Sequence, residues 1–127
     1  MVRVGQLMTQ DLVAVDAATS ISEIARLMSL RRIGSVFVRR QEEMIGIVTE
    51  PDIIRKGISQ GRDLRTVSAF EIMSSPIVSI DERRPITEAA DLMQSHRTRH
   101  LAVSKGDRLV GIVSVRDLLH PVSIDEF

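Results

Sequence analysis

Displaced by 65 positions, the chain falls on itself: Met8 meets Met73, Asp16 meets Asp81, Glu23 meets Glu88 and Leu27-Met28 meets Leu92-Met93. Further on, Gly46-Ile47-Val48 meets Gly111-Ile112-Val113, and Asp52 meets Asp117. No gap is needed from the pair Leu7/Ile72 to the pair Ile54/Leu119, and 14 of these 48 pairs are identical. Many of the others stay apolar, as in Met44/Leu109, Ile45/Val110 and Ile53/Leu118. A fixed period marks two copies of one supersecondary unit. The fold must therefore be built twice within 127 residues, the length of one ordinary domain.

Both copies follow one pattern. A short extended piece, LVAVD or IVSID, leads into a helix with an apolar stripe at Ile21, Ile24, Ala25 and Met28, or at Ile86, Ala89, Ala90 and Met93. That i, i+3, i+4, i+7 spacing puts one apolar face on each helix. Ser20 with Glu23 has the form of a capping box, and Pro85 suits an early helical position. A β-run follows (SVFV or HLAV), then the five-residue polar connector RRQEE or SKGDR, then MIGIV or LVGIV. Such a pair of apolar runs predicts a hairpin. Each copy closes with a helix near PDIIRK or RDLLH. The expected class is α/β (α+β): tandem β-α-β-β-α repeats over residues 1–60 and 61–127, with KGISQGRDLRTVSAF as connector. A unit of about fifty residues is marginal alone, so two small three-stranded sheets are expected to pack together with helices outside.

Composition narrows the function. With 43% hydrophobic and 27% charged residues the chain buries a core, and with no Cys it has no disulfide, thiolate ligand or Cys nucleophile. Lys plus Arg and Asp plus Glu balance at 17 each, which argues against nucleic acid or a polybasic membrane anchor as partner. The basic residues are 15 Arg and only 2 Lys, a bias suited to bidentate phosphate or carboxylate contacts, though genomic composition alone would give the same bias. No apolar run approaches the ~20 residues of a membrane helix, and the first residues do not read as a signal peptide. The expected setting is cytoplasmic.

The strings IGSVFVRRQEEMIGIVTEPDI and RHLAVSKGDRLVGIVSVRDLL, preceded by LMTQDLVAVDAATSISEIARLM and IMSSPIVSIDERRPITEAADLM, resemble the cystathionine-β-synthase (CBS) domain. The resemblance runs from about Val4 to Val122, and two such domains in tandem resemble a CBS pair, or Bateman module. It implies a regulatory module rather than an enzyme, with clefts between the repeats for adenosine-containing ligands: AMP, ADP, ATP or S-adenosylmethionine. No obligatory cofactor is implied. It also implies a homodimer, often disc-like, acting on a separate enzyme or transporter. The alternative is a ligand-independent dimerisation and docking scaffold.

Within that resemblance, Asp52 and Asp117 align with the ribose-binding Asp, and Thr49 and Ser114 with its hydroxyl position. Thr49-x-x-Asp52 and Ser114-x-x-Asp117 sit where a strand gives way to a helix. A helix start offers free N–H groups to an anion, and a carboxylate can accept both hydrogens of a ribose diol. The same pattern is also a capping box that stabilises a helix without any ligand. Arg99 and His100 fall where some relatives hold phosphate, with Arg116 assisting from the helix; an exposed, solvated basic cluster would look the same. The first copy has Gly34-Ser35 and Pro51 at those positions, so a charged nucleotide is expected at Arg99 and Arg116. The resemblance assigns the adenine to Ile77, Val78, Val13, Ala14, Ile33 and Leu101, each of which also reads as ordinary core. Gly46 and Gly111, mid-strand, mark close approach of a ligand or of another backbone segment.

Catalysis finds no candidate. His96-x-x-x-His100 has helical metal-pair spacing but no third ligand in a motif, and its second His starts a β-run. Glu42-Glu43 lies in a polar connector, the Met residues read as core fillers, and no phosphate-loop or nucleophile-elbow motif is present.

Overall fold

A computed structural model describes residues 1–119. The order of elements is α1 (Val4–Leu7), β1 (Ala14–Asp16), α2 (Ile21–Arg31), β2 (Ser35–Arg40), β3 (Glu43–Thr49), α3 (Glu50–Lys56), a 3-10 turn (Ile58–Gln60), α4 (Ala69–Ile72), β4 (Ser79–Asp81), α5 (Ile86–His96), β5 (His100–Lys105), β6 (Arg108–Ser114) and α6 (Val115–Leu119). The helix expected over RDLLH is followed through Leu119; His120 and the end of the second copy lie outside the described residues. No described helix is long and apolar enough to cross a membrane.

The chain forms two three-stranded mixed sheets flanked by helices. In each, a short first strand runs parallel to the central strand, and the central strand pairs antiparallel with the third, giving β1-β2-β3 and β4-β5-β6. The hairpins are tighter than the sequence pattern implies. Arg40 pairs with Glu43 and Lys105 with Arg108, leaving two-residue turns at Gln41-Glu42 and Gly106-Asp107. The strands gain this length because a register shift after Val38 and after Val103 lets the polar connector residues continue the ladder.

The expected division at residue 60 follows the sequence repeat, whereas the compact units divide elsewhere. One comprises Val13–Ile77, the other Met1–Leu12 with Val78 onward. Each unit thus takes its short leading helix from the start of the other copy. In the Val13–Ile77 unit, Val67, Ala69 and Ile72 join a core with Ile21, Ile24, Met28, Val36, Val38 and Val48. Ile21 and Ser22 donate their backbone N–H groups to the carbonyls of Val67 and Leu64. In the other unit Val4 is fully buried with Ile80, Ala89, Met93, Leu101, Val103 and Val113, and Ile86 N–H donates to Val2. These bonds serve orphan donors of the α2 and α5 starts. Of the expected box at α2 the Ser20 half is present: Glu23 N–H donates to Ser20 Oγ at 3.2 Å. Of the two apolar stripes, Ala25 is half-buried and Ala90 exposed, while Ile21, Ile24, Met28, Ala89 and Met93 are buried.

The mid-strand glycines answer to backbone. A Cβ on Gly46 would lie 2.6 Å from Met73 Sδ and 3.0 Å from the Ser74 carbonyl oxygen; one on Gly111 would lie 2.7 Å from both Met8 Sδ and the Thr9 carbonyl oxygen. The segment after each short helix bridges the free edge of the third strand, through Ile47 with Ser74 and Ile112 with Thr9. A side chain would push that segment off.

Candidate functional site

The Ser114–Asp117 cluster stands where β6 hands over to α6. Ser114 donates its backbone N–H (2.8 Å) and its hydroxyl (3.1 Å) to Asp117 Oδ2, and Asp117 N–H donates back to Ser114 Oγ (3.2 Å). Val115 N–H donates to the Arg99 carbonyl at 2.9 Å, which ties α6 to the residue before β5. His100 opens β5 and pairs with Ser114 across the ladder. The structure therefore brings Arg99, His100, Ser114, Arg116 and Asp117 to one end of one sheet. Arg99 and Arg116 are exposed, and neither guanidinium has a partner among the described residues. Asp117 is half-buried, and its Oδ1 accepts no hydrogen bond from a described residue.

The register-equivalent cluster of the first copy has the same box with different surroundings. Thr49 donates its N–H (3.1 Å) and hydroxyl (3.0 Å) to Asp52 Oδ2, and Asp52 N–H donates to Thr49 Oγ1 (3.3 Å). Here Ser74 adds a hydroxyl bond shared between Oδ1 (3.0 Å) and Oδ2 (3.2 Å), and Lys56 Nζ stands 3.3 Å from Oδ1. Asp52 is the buried charged residue of the described chain, at 8% exposure. Neither Ser74 nor Lys56 was singled out from sequence. The Lys four residues after the Asp was a legible signal; Ser74, 22 residues on, is brought in only by the edge bridge to β3.

The free N–H groups expected at both helix starts are mostly absent. At α3, Glu50 N–H donates to the Gly34 carbonyl, Pro51 has none, and Asp52 N–H is capped. At α6 the Arg116 N–H alone lacks a partner among the described residues. Both helices are too short to act as anion sites on their dipoles.

The residues assigned to adenine divide between the units. Val13, Ala14, Ile33 and Ile77 belong to one and are half-buried, Val13 and Ile33 packing on its core. Val78, half-buried, and Leu101, fully buried, belong to the other core. His96 ends α5 and His100 begins β5, so the helical pair spacing is not realised, and the described residues hold no His, Asp or Glu group fit for a metal ion. Asp63 and Asp81 are held below the usual carboxylate range by Arg65 and Arg83, and Glu71 by the Ser68 N–H and Arg62.

The chain belongs to the CBS-domain family, whose model matches residues 4–59 and again residues 69–123. It is a tandem CBS pair, a Bateman module, an architecture consistent with regulatory modules. A protein of Methanopyrus kandleri is 37% identical over 120 residues, which make up 93% of this chain and 61% of that protein's own length. A protein with CBS domains from Burkholderia ambifaria superposes with a TM-score of 0.92 at 29% identity, covering 99% of this chain and 97% of the other. A CBS domain protein from Pyrobaculum aerophilum, solved in complex with AMP, superposes with a TM-score of 0.80 at 29% identity over 91% of this chain and 89% of that one.

Proposed function

We propose that this CBS pair senses an adenosine-containing ligand, with Asp117 as its ribose acceptor. The observation that carries the reading is the half-open carboxylate. Asp117 Oδ2 is engaged by Ser114, while among the described residues no donor reaches Oδ1, whose lone pairs are what two ribose hydroxyls need. Arg99 and Arg116, whose guanidinium groups have no partner among the described residues, stand at the same end of the sheet and suit a phosphate. The AMP complex of the Pyrobaculum relative supports the ligand class. AMP, ADP, ATP and S-adenosylmethionine all contain the required diol, and the arginines favour the phosphorylated members. Ligand binding would act by preferring one of two states of the module, passed to a separate enzyme or transporter. A homodimer is favoured by the register-equivalent side chains Ile54 and Leu119, which are apolar yet 54% and 63% exposed.

Thermal melts against that panel test the reading, with GMP and inorganic phosphate as controls. At a hundredfold excess over Kd, a ligand specific for the native state adds about 2.7 kcal/mol. AMP is expected to raise Tm, phosphate alone to leave it in place, and Asp117→Ala to remove most of the AMP effect. A flat response to the whole panel by folded protein contradicts the reading and favours the docking scaffold, whose size in solution does not change with nucleotide.

A further inference from the structure

Resting on that reading, we infer that the two aspartates of the repeat have parted roles. Asp52 is a structural carboxylate closed to ligand by Lys56 and Ser74, so the chain takes one adenosine ligand, at Asp117. A carboxylate offers about four lone-pair positions. At Asp52 four donors reach them: the Thr49 N–H, the Thr49 hydroxyl, the Ser74 hydroxyl and the Lys56 ammonium. At Asp117 only the two Ser114 donors do, among the described residues. The Lys56 ammonium also donates to the Ile72 carbonyl at 3.1 Å, which anchors it between α3 and the end of α4. A ribose diol at Asp52 would have to displace a charge-assisted bond and an anchored cation, leaving a buried carboxylate short of its compensation.

The difference is written in the sequence register. The position 65 residues after Lys56 is Pro121, which carries no cation and no N–H donor. Thr9 stands in register with Ser74 and bridges Ile112 as Ser74 bridges Ile47, yet it makes no hydrogen bond to Asp117. Pro51 removes from the α3 start the N–H that at the α6 start, on Arg116, has no partner among the described residues. Three independent substitutions close one copy and leave the other open.

The test compares wild type, Asp52→Asn, Asp117→Asn and Lys56→Met, by ligand-free melts and by calorimetric titration with AMP. The expected result is one AMP per chain in wild type. Asp52→Asn and Lys56→Met then keep that stoichiometry, with Kd within about twofold, and lower the ligand-free Tm by at least about 3 °C. Asp117→Asn weakens AMP at least about tenfold and melts within about 1 °C of wild type. Should Asp52→Asn not fold, Lys56→Met carries the same comparison with the carboxylate in place. Two AMP per chain in wild type, or a tenfold loss of affinity in Lys56→Met, would overturn the inference. So would coincident ligand-free melts of Asp52→Asn and Asp117→Asn, whatever binds. If no variant binds AMP while the melts separate as expected, the adenosine reading fails and the structural role of Asp52 stands.

Discussion

At the first residue of the β2–β3 turn Gln41 carries φ 56°, while at the same register of the β5–β6 turn Gly106 carries φ 62°. The turn geometry demands a left-handed residue, and only glycine enters that region without a Cβ clash. One copy has met the demand with the right residue and the other has not. Gln41→Gly is therefore expected to stabilise the fold by about 0.5–1 kcal/mol, the strain relieved less the extra freedom of the unfolded chain. Urea unfolding measures it through the midpoint at constant slope; an unchanged or lower midpoint would show that the Gln41 side chain stabilises the turn more than its backbone strains it. Asp52 and Asp117 make the same point about residues. Their Thr/Ser-x-x-Asp signatures are alike in sequence, and what separates them is the company of Lys56 and Ser74.

Elements were legible where the pattern was local. The 3.6-residue stripes marked α2 and α5, and the β-runs marked both hairpins, because burial on one face writes directly into residue order. The short helices α1 and α4 were not legible. Four residues carry no period, and Val4, Ala69 and Ile72 are recognisable as core only once the unit that receives them is known. The strand glycines were half legible: they announced a close approach, and the approaching group is the segment after the short helix. Gly111→Ala and Gly46→Ala test that account against each other. Both meet a movable Met side chain, but the fixed obstacle differs, a backbone oxygen at 2.7 Å for Gly111 and at 3.0 Å for Gly46. Overpacking of this kind costs about 1–3 kcal/mol, with Gly111→Ala expected at the upper end and Gly46→Ala at the lower. The reverse order in chemical denaturation would mean that Met8 and Met73, not the backbone, set the constraint.

For the whole molecule, duplication supplies two equivalent frames and divergence gives them different work. The repeat made the family legible from residue order alone. The split of the compact units at 12/13 and 77/78 was not, because a 65-residue period is the same wherever a cut is placed along it. In one frame the aspartate ties α3 to the end of α4, and in the other one oxygen and a neighbouring N–H have no partner among the described residues. The most direct measurement of that division is the backbone amide spectrum of the protein titrated with AMP. The predicted result is saturable shifts at Ser114, Val115, Arg116 and Asp117, with the Arg116 amide moving downfield as it finds an acceptor, while Thr49, Glu50 and Asp52 shift far less. Equal shifts at both clusters, or shifts confined to Thr49–Asp52, would contradict it.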